Sequence, residues 1–186
     1  MSFGMGHQIG IGKTPNMEHC PEGIVNLFRY VRFALGRSNV NAGSYLNELQ
    51  VIDTEGVNRA LGRHEHLTPD ATATYLSQSY KPANAFDGII NSWTWMMDYK
   101  VGKRPYVLDL GDSYALSEVR LYPYYPGRRI FQDVKIELSN DQEDWLLIYD
   151  SEASADAAPY TGRQVSSSDG LRFEVDLAIA FWQGAS

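Results

Sequence analysis

GRRIFQDVKIELSNDQEDW, residues 127–145, sets Val134, Ile136 and Leu138 at alternate positions, with Lys135 and Glu137 between them, and then breaks into the turn-forming run SNDQED. An apolar residue at every second position gives a strand one buried and one wet face, the pattern of an antiparallel sheet packed on one side. Upstream, across the turn-like YPGRR (125–129), Val119 and Leu121 flank Arg120. Downstream, Phe173, Val175 and Leu177 alternate with Arg172, Glu174 and Asp176. Nearer the start, Val31, Phe33 and Leu35 alternate with Arg32 and Ala34, and beyond SNVNAGS (38–44) Leu49 and Val51 flank Gln50. No stretch carries an apolar stripe of helical period longer than a turn or two. These patterns predict an all-β chain: one antiparallel β-sandwich of jelly-roll type.

Composition narrows the function classes. The 186 residues are 44% hydrophobic and 21% charged, enough to bury a core. Sixteen Lys+Arg against 23 Asp+Glu give a net charge of -7, which argues against a general nucleic-acid binder. Twelve tyrosines and four tryptophans exceed what a small core needs and suggest aromatic rings at a binding rim. Cys20 is the single cysteine, so no intrachain disulfide forms, which points to a reducing compartment. Residues 1–12 lack the basic and apolar regions of a secretory leader, and no apolar run approaches the ~20 residues of a membrane span. Residues 1–27 hold five glycines and two prolines without any period, and read as an extended arm, either a disordered leader or an assembly device. Residues 28–178 form the sandwich, and the apolar tail 179–186, with Phe181 and Trp182, either covers it or meets a partner.

Four motifs in order resemble the discoidin family (coagulation factor 5/8 type C, galactose-binding-like). They are Asn84-Ala85-Phe86-Asp87-Gly88 followed by Trp93, PYVLDLG (105–111), LSEVRLYP (116–123), and the 127–145 block, where Gln142 replaces the usual glycine. A fifth stretch, RYVRFALGRSNVNAGSYLNELQVID (29–53), resembles the strand pair that closes this domain, yet here it comes first. The sequence therefore looks like a circularly permuted discoidin domain, which a fold with neighbouring termini tolerates. On that reading Arg29–Leu35 pairs with Leu46–Asp53, in the same sandwich as Val134–Leu138. The permuted arrangement is associated with bacteriophage tail and particle proteins.

The resemblance also implies site residues. A structural Ca2+ would take the carboxylates of Asp87 and Glu48 and the carbonyls of Asn84, Ile89 and Asn47, with Asn91 or Ser92 completing an all-oxygen shell of the kind calcium accepts. The alternative is that Asp87 only caps a tight turn with Gly88 at positive φ. Ligand loops would span 67–82, 95–104 and 124–129; in and beside them, Trp95, Tyr80, Tyr125, Arg128 and His66 are the residue types that stack on and hydrogen-bond a sugar. Trp93 matches the family's core tryptophan, and Arg128 has a second reading as a structural arginine pinning its loop. His64 and His66 lack further ligands for zinc, and Cys20 lacks a neighbouring base. GMGHQIGIG follows no strand and opens no helix, so it is no phosphate loop.

The expected function is non-enzymatic: a virion structural or attachment component on a phage tail, baseplate or capsid surface, with a carbohydrate- or protein-binding sandwich. The alternatives are a stand-alone bacterial carbohydrate-binding module or lectin, and a structural adaptor with a vestigial sugar site. Expected partners are a cell-surface glycan and other virion proteins, reached through residues 1–27 and the C-terminal tail in a homo-oligomer or larger assembly. Neither nucleic acid nor membrane insertion is expected. The location follows: the virion, after synthesis in the host cytoplasm, or otherwise the cytoplasm or the exterior without a signal peptide.

Overall fold

The computed structural model describes residues 26–36, 38, 44–68, 80–90, 94–97, 105–124, 131, 133–151 and 170–175. Residues 1–25 of the 1–27 arm and the whole of the tail 179–186 lie outside them, as do the expectations attached to both. Nine strands are described: β1 (Phe28–Ala34), β2 (Ser44–Asp53), β3 (Leu67–Thr68), β4 (Trp95–Met97), β5 (Tyr106–Tyr114), β6 (Leu116–Pro123), β7 (Lys135–Ser139), β8 (Leu146–Asp150) and β9 (Leu171–Glu174). They form a five-stranded sheet in the order β3-β5-β1-β7-β8 and a four-stranded sheet in the order β4-β2-β6-β9. Every described pairing is antiparallel. The expected β-sandwich is what the chain forms.

The period-2 pattern decides the core. In β1, Val31 and Phe33 are fully buried, and Val31 stands opposite Leu108 on one side and Leu138 on the other. In the facing sheet, Leu49 pairs with Leu121 and Val51 with Val119, and β6 hands the same face on to Phe173 and Leu171. Burying one such Leu, Val or Phe side chain is worth ~1.5–3 kcal/mol. Arg32, on the opposite face of β1, pairs with Glu137 at 2.6 Å and lies 4.0 Å over the Trp145 ring.

The expected pairing of the two front strands is not what the chain does. β1 and β2 lie in different sheets: β1 between β5 and β7, β2 between β4 and β6. The connection from residue 35 to residue 43 is longer than a tight hairpin loop of two to five residues, so it leaves the chain free to cross from one sheet to the other. The rest of that expectation holds, since both strands share the sandwich with β7.

Where the 127–145 block departs from the family's glycine, the backbone keeps the glycine-like shape: Gln142 has φ 68°. Ser139 Oγ accepts the amides of Asp141 and Gln142, and Asp141 Oδ1 accepts those of Glu143 and Asp144. The Trp145 indole N–H donates to the Gln142 carbonyl at 3.0 Å and closes the turn.

Candidate functional site

The register of β2 against β6 shifts between Leu46 and Glu48. A bulge interrupts the alternation and re-aims side chains. Leu46 and Leu49, on either side of it, both enter the core, and Asn47 and Glu48 between them are buried as well, at 6% and 0% exposure. What covers them is the segment that follows the 3-10 turn Pro82–Ala85. Gly88 N–H donates to Glu48 Oε1 at 3.2 Å, and Asn47 Nδ2 donates to the Ile90 carbonyl at 3.2 Å. The Thr94 hydroxyl donates to Asn47 Oδ1 at 2.8 Å, while Asn84 Nδ2 reaches the Thr94 carbonyl at 3.4 Å.

Within this segment Asp87 Oδ1 accepts the Ile89 amide at 2.8 Å, and Gly88 turns the chain at φ 81°. The turn-capping role anticipated for Asp87 is therefore present. It leaves the electrostatic problem of Glu48 unsolved. Burial, and after it the negative charge of Asp87, push the Glu48 carboxyl up to about 8, against the opposing effect of the Gly88 and Asp87 amides. Glu48 Oε2 is buried and has no hydrogen-bond partner among the described residues. A buried carboxylate oxygen in that state calls for a proton or a cation. Carboxylate and carbonyl oxygens are the donors a hard divalent cation takes. Among the described residues no three His, Cys, Asp or Glu side chains group as metal ligands, so a cation at Glu48 and Asp87 would complete its shell from carbonyls or water.

The structure thus gathers Glu48, Asn47, Asn84, Asp87 and Ile89 in one neighbourhood; Ser92 and Asn91 lie outside the described residues. Of the ligand-loop residues, Tyr80 is 40% exposed just ahead of the Pro82–Ala85 turn, and His66 is exposed at the end of a second 3-10 turn, Arg63–His66. The two turns touch each other. Tyr125 and Arg128 lie outside the described residues.

Trp95 needs correction. It is fully buried, packed against Phe33, Phe86 and Tyr106 with ring centroids 6.3, 6.2 and 4.8 Å away, and cannot stack on a sugar. The cause is its pairing: Trp95 stands directly opposite Leu46, and directly opposed residues share a face of the sheet, here the inner one. Trp93, the expected core tryptophan, lies outside the described residues.

Two features had no signal in the sequence. Leu61 and Ile89 are 55% and 57% exposed, and Leu61 sits against Gly88, where an added Cβ would meet its Cδ1 at 3.2 Å. Two large apolar side chains therefore flank the Asp87–Gly88 turn in solvent. The side-chain role of Asn47 is the other, because a bulge leaves no periodic trace. Among the described residues no helix is long and apolar enough to cross a membrane.

A family profile for the F5/8 type C domain matches residues 70–169. No curated protein and no solved structure matches the chain. The matched segment spans more than half of the 186 residues, and the chain belongs to the F5/8 type C family.

Proposed function

We propose that the chain is a non-enzymatic binding module that takes a carbohydrate at the end of the sandwich carrying the Asp87–Gly88 turn, with calcium bracing that turn against β2. Domains of this family are in general binding modules, for carbohydrates or proteins. The observation that carries the reading is the surface around the turn: Tyr80, Leu61 and Ile89 hold large apolar side chains in solvent beside exposed His66 and Asp87. A sugar presents a C–H face to the Tyr80 ring and to the alkyl groups of Leu61 and Ile89, and hydroxyls to the polar groups. Glu48 and Asp87 would hold the calcium with carbonyls of Asn84, Ile89 and Asn47, and the ion would supply the positive charge the buried carboxylate needs. A glycan array in calcium and in EDTA tests the proposal. A defined glycan set should bind in calcium, weaken in EDTA, and weaken about tenfold in Tyr80→Ala at an unchanged melting temperature. A blank array in calcium would contradict the carbohydrate reading.

The order of the strands favours a particle component over a free lectin. Residues 28–53 precede the matched segment yet supply strands flanked on both sides in each sheet, which suits a permuted domain of the kind associated with phage tails and particles. On this reading residues 1–27 and the C-terminal tail join it to other virion proteins. The 186-residue chain should associate and a chain starting at residue 28 should not; a stand-alone lectin would run as the same small species in both forms.

A further inference from the structure

We infer that Asn47 is a positioning residue, an uncharged latch that holds the Asp87–Gly88 turn over Glu48. Its bearing on metal affinity rests on the calcium reading above; its hold on the turn does not. In a regular strand consecutive side chains point to opposite faces, so only one of Asn47 and Glu48 could reach a given covering segment. The register shift between Leu46 and Glu48 lifts that restriction, and both side chains grip the same stretch. Glu48 takes the Gly88 amide, and two residues on, Asn47 takes the Ile90 carbonyl. The Asn47 carboxamide also accepts from Thr94, itself buried at 7%, so one side chain ties down both ends of the interval from Ile90 to Thr94. Chemistry fixes the orientation of the amide: a carbonyl needs a donor, so Nδ2 must face Ile90 and Oδ1 must face the Thr94 hydroxyl. Asn84 adds a third hold on the same interval through the Thr94 carbonyl.

An aspartate at position 47 separates a latch from a ligand. It keeps size and shape and adds a third carboxylate beside Glu48 and Asp87, but it sets an oxygen against the Ile90 carbonyl where a donor stood. If position 47 served the ion through its charge or its side-chain oxygen, Asn47→Asp would bind calcium as tightly as the wild type or more so. As a latch, its loss should weaken calcium binding about 10- to 100-fold, the usual effect of removing a group that orients metal ligands. Two readouts on the full chain decide the matter: calcium titration by calorimetry, and amide hydrogen exchange in EDTA at Gly88 and Ile89, with Val119 and Leu121 in β6 as internal reference. The expected result is weaker calcium binding and faster exchange at Gly88 and Ile89 in Asn47→Asp, with β6 unchanged. Thr94→Val, which removes only the hydroxyl, should show the same exchange pattern more weakly and serves if the aspartate variant does not fold. Unchanged exchange at Gly88 and Ile89 in the folded variants overturns the latch. Equal or tighter calcium binding by Asn47→Asp overturns it too. Faster exchange in a protein whose wild type takes no calcium supports the latch and removes the calcium reading instead.

Discussion

Residues 28–53 and residues 70–169 divide the labour of this domain unevenly. The second region carries the family match and the turn motifs, and it supplies β4 to β8. The first lies outside the match, yet β1 is flanked by β5 and β7, and β2 by β4 and β6. A profile match marks where a chain resembles its family; it does not mark which strands hold the two sheets together. The front of the chain thus lies outside the match yet is rich in stabilisation, and β2 doubles as the floor of the candidate site through Asn47 and Glu48.

The largest break of that comparison is a chain that starts at residue 54. It loses Val31, Phe33, Leu49 and Val51, each fully buried and each worth ~1.5–3 kcal/mol, against a total stability of ~5–15 kcal/mol for a domain. It should show no cooperative unfolding transition by circular dichroism, and a folded 54–186 would mean the matched segment closes its own core. Next in size is Trp95→Ala, which should cost ~3–5 kcal/mol in urea unfolding, as for a large core aromatic. A loss of glycan affinity at unchanged stability would instead return Trp95 to the rim.

The pH dependence sharpens the role of β2. Glu48 holds its proton up to about 8 in the fold, whereas an unfolded glutamate releases it near 4.5. Between these values the folded chain holds more protons at this group than the unfolded one, so without calcium the contribution of Glu48 to stability is greatest below about 4.5, falls as pH rises, and levels off above about 8. Glu48→Gln should remove that component of the slope in urea midpoints measured in EDTA, and an unchanged slope would assign it to other groups. The smallest effect is at Gln142: Gln142→Gly relieves a positive φ while keeping the Trp145 bond to the backbone carbonyl, and should stabilise by about 0.5 kcal/mol or slightly more in the same assay.

Alternation placed Val31, Phe33, Leu49, Val51, Ile136 and Leu138 in the core from sequence alone, because period 2 fixes which face a side chain takes. It does not fix which strand lies alongside, so it could not check the pairing of β1 with β2 that the resemblance to a closing strand pair implied; the two sit in different sheets. The same limit explains the tryptophans: Trp93 and Trp95 are two positions apart, so any strand through both puts them on one face, and spacing cannot rank them. Glu48 was legible only through the family resemblance, since nothing local marks a buried glutamate in an apolar strand. Asn47 was anticipated for its carbonyl, and its side-chain bonds to Ile90 and Thr94 became visible only when the bulge was.

The central claim, that a cation between Glu48 and Asp87 braces the turn on β2, is tested most directly by thermal unfolding in millimolar calcium and in EDTA, for the wild type and Asp87→Ala. Binding to the folded state alone stabilises by RT ln(1 + [L]/Kd), about 2.7 kcal/mol at a hundredfold excess over Kd. The wild type should melt several degrees higher in calcium, and Asp87→Ala should melt at the same temperature in both. Superimposable wild-type curves would contradict the claim and leave Glu48 as a buried, protonated carboxyl beneath an ordinary turn.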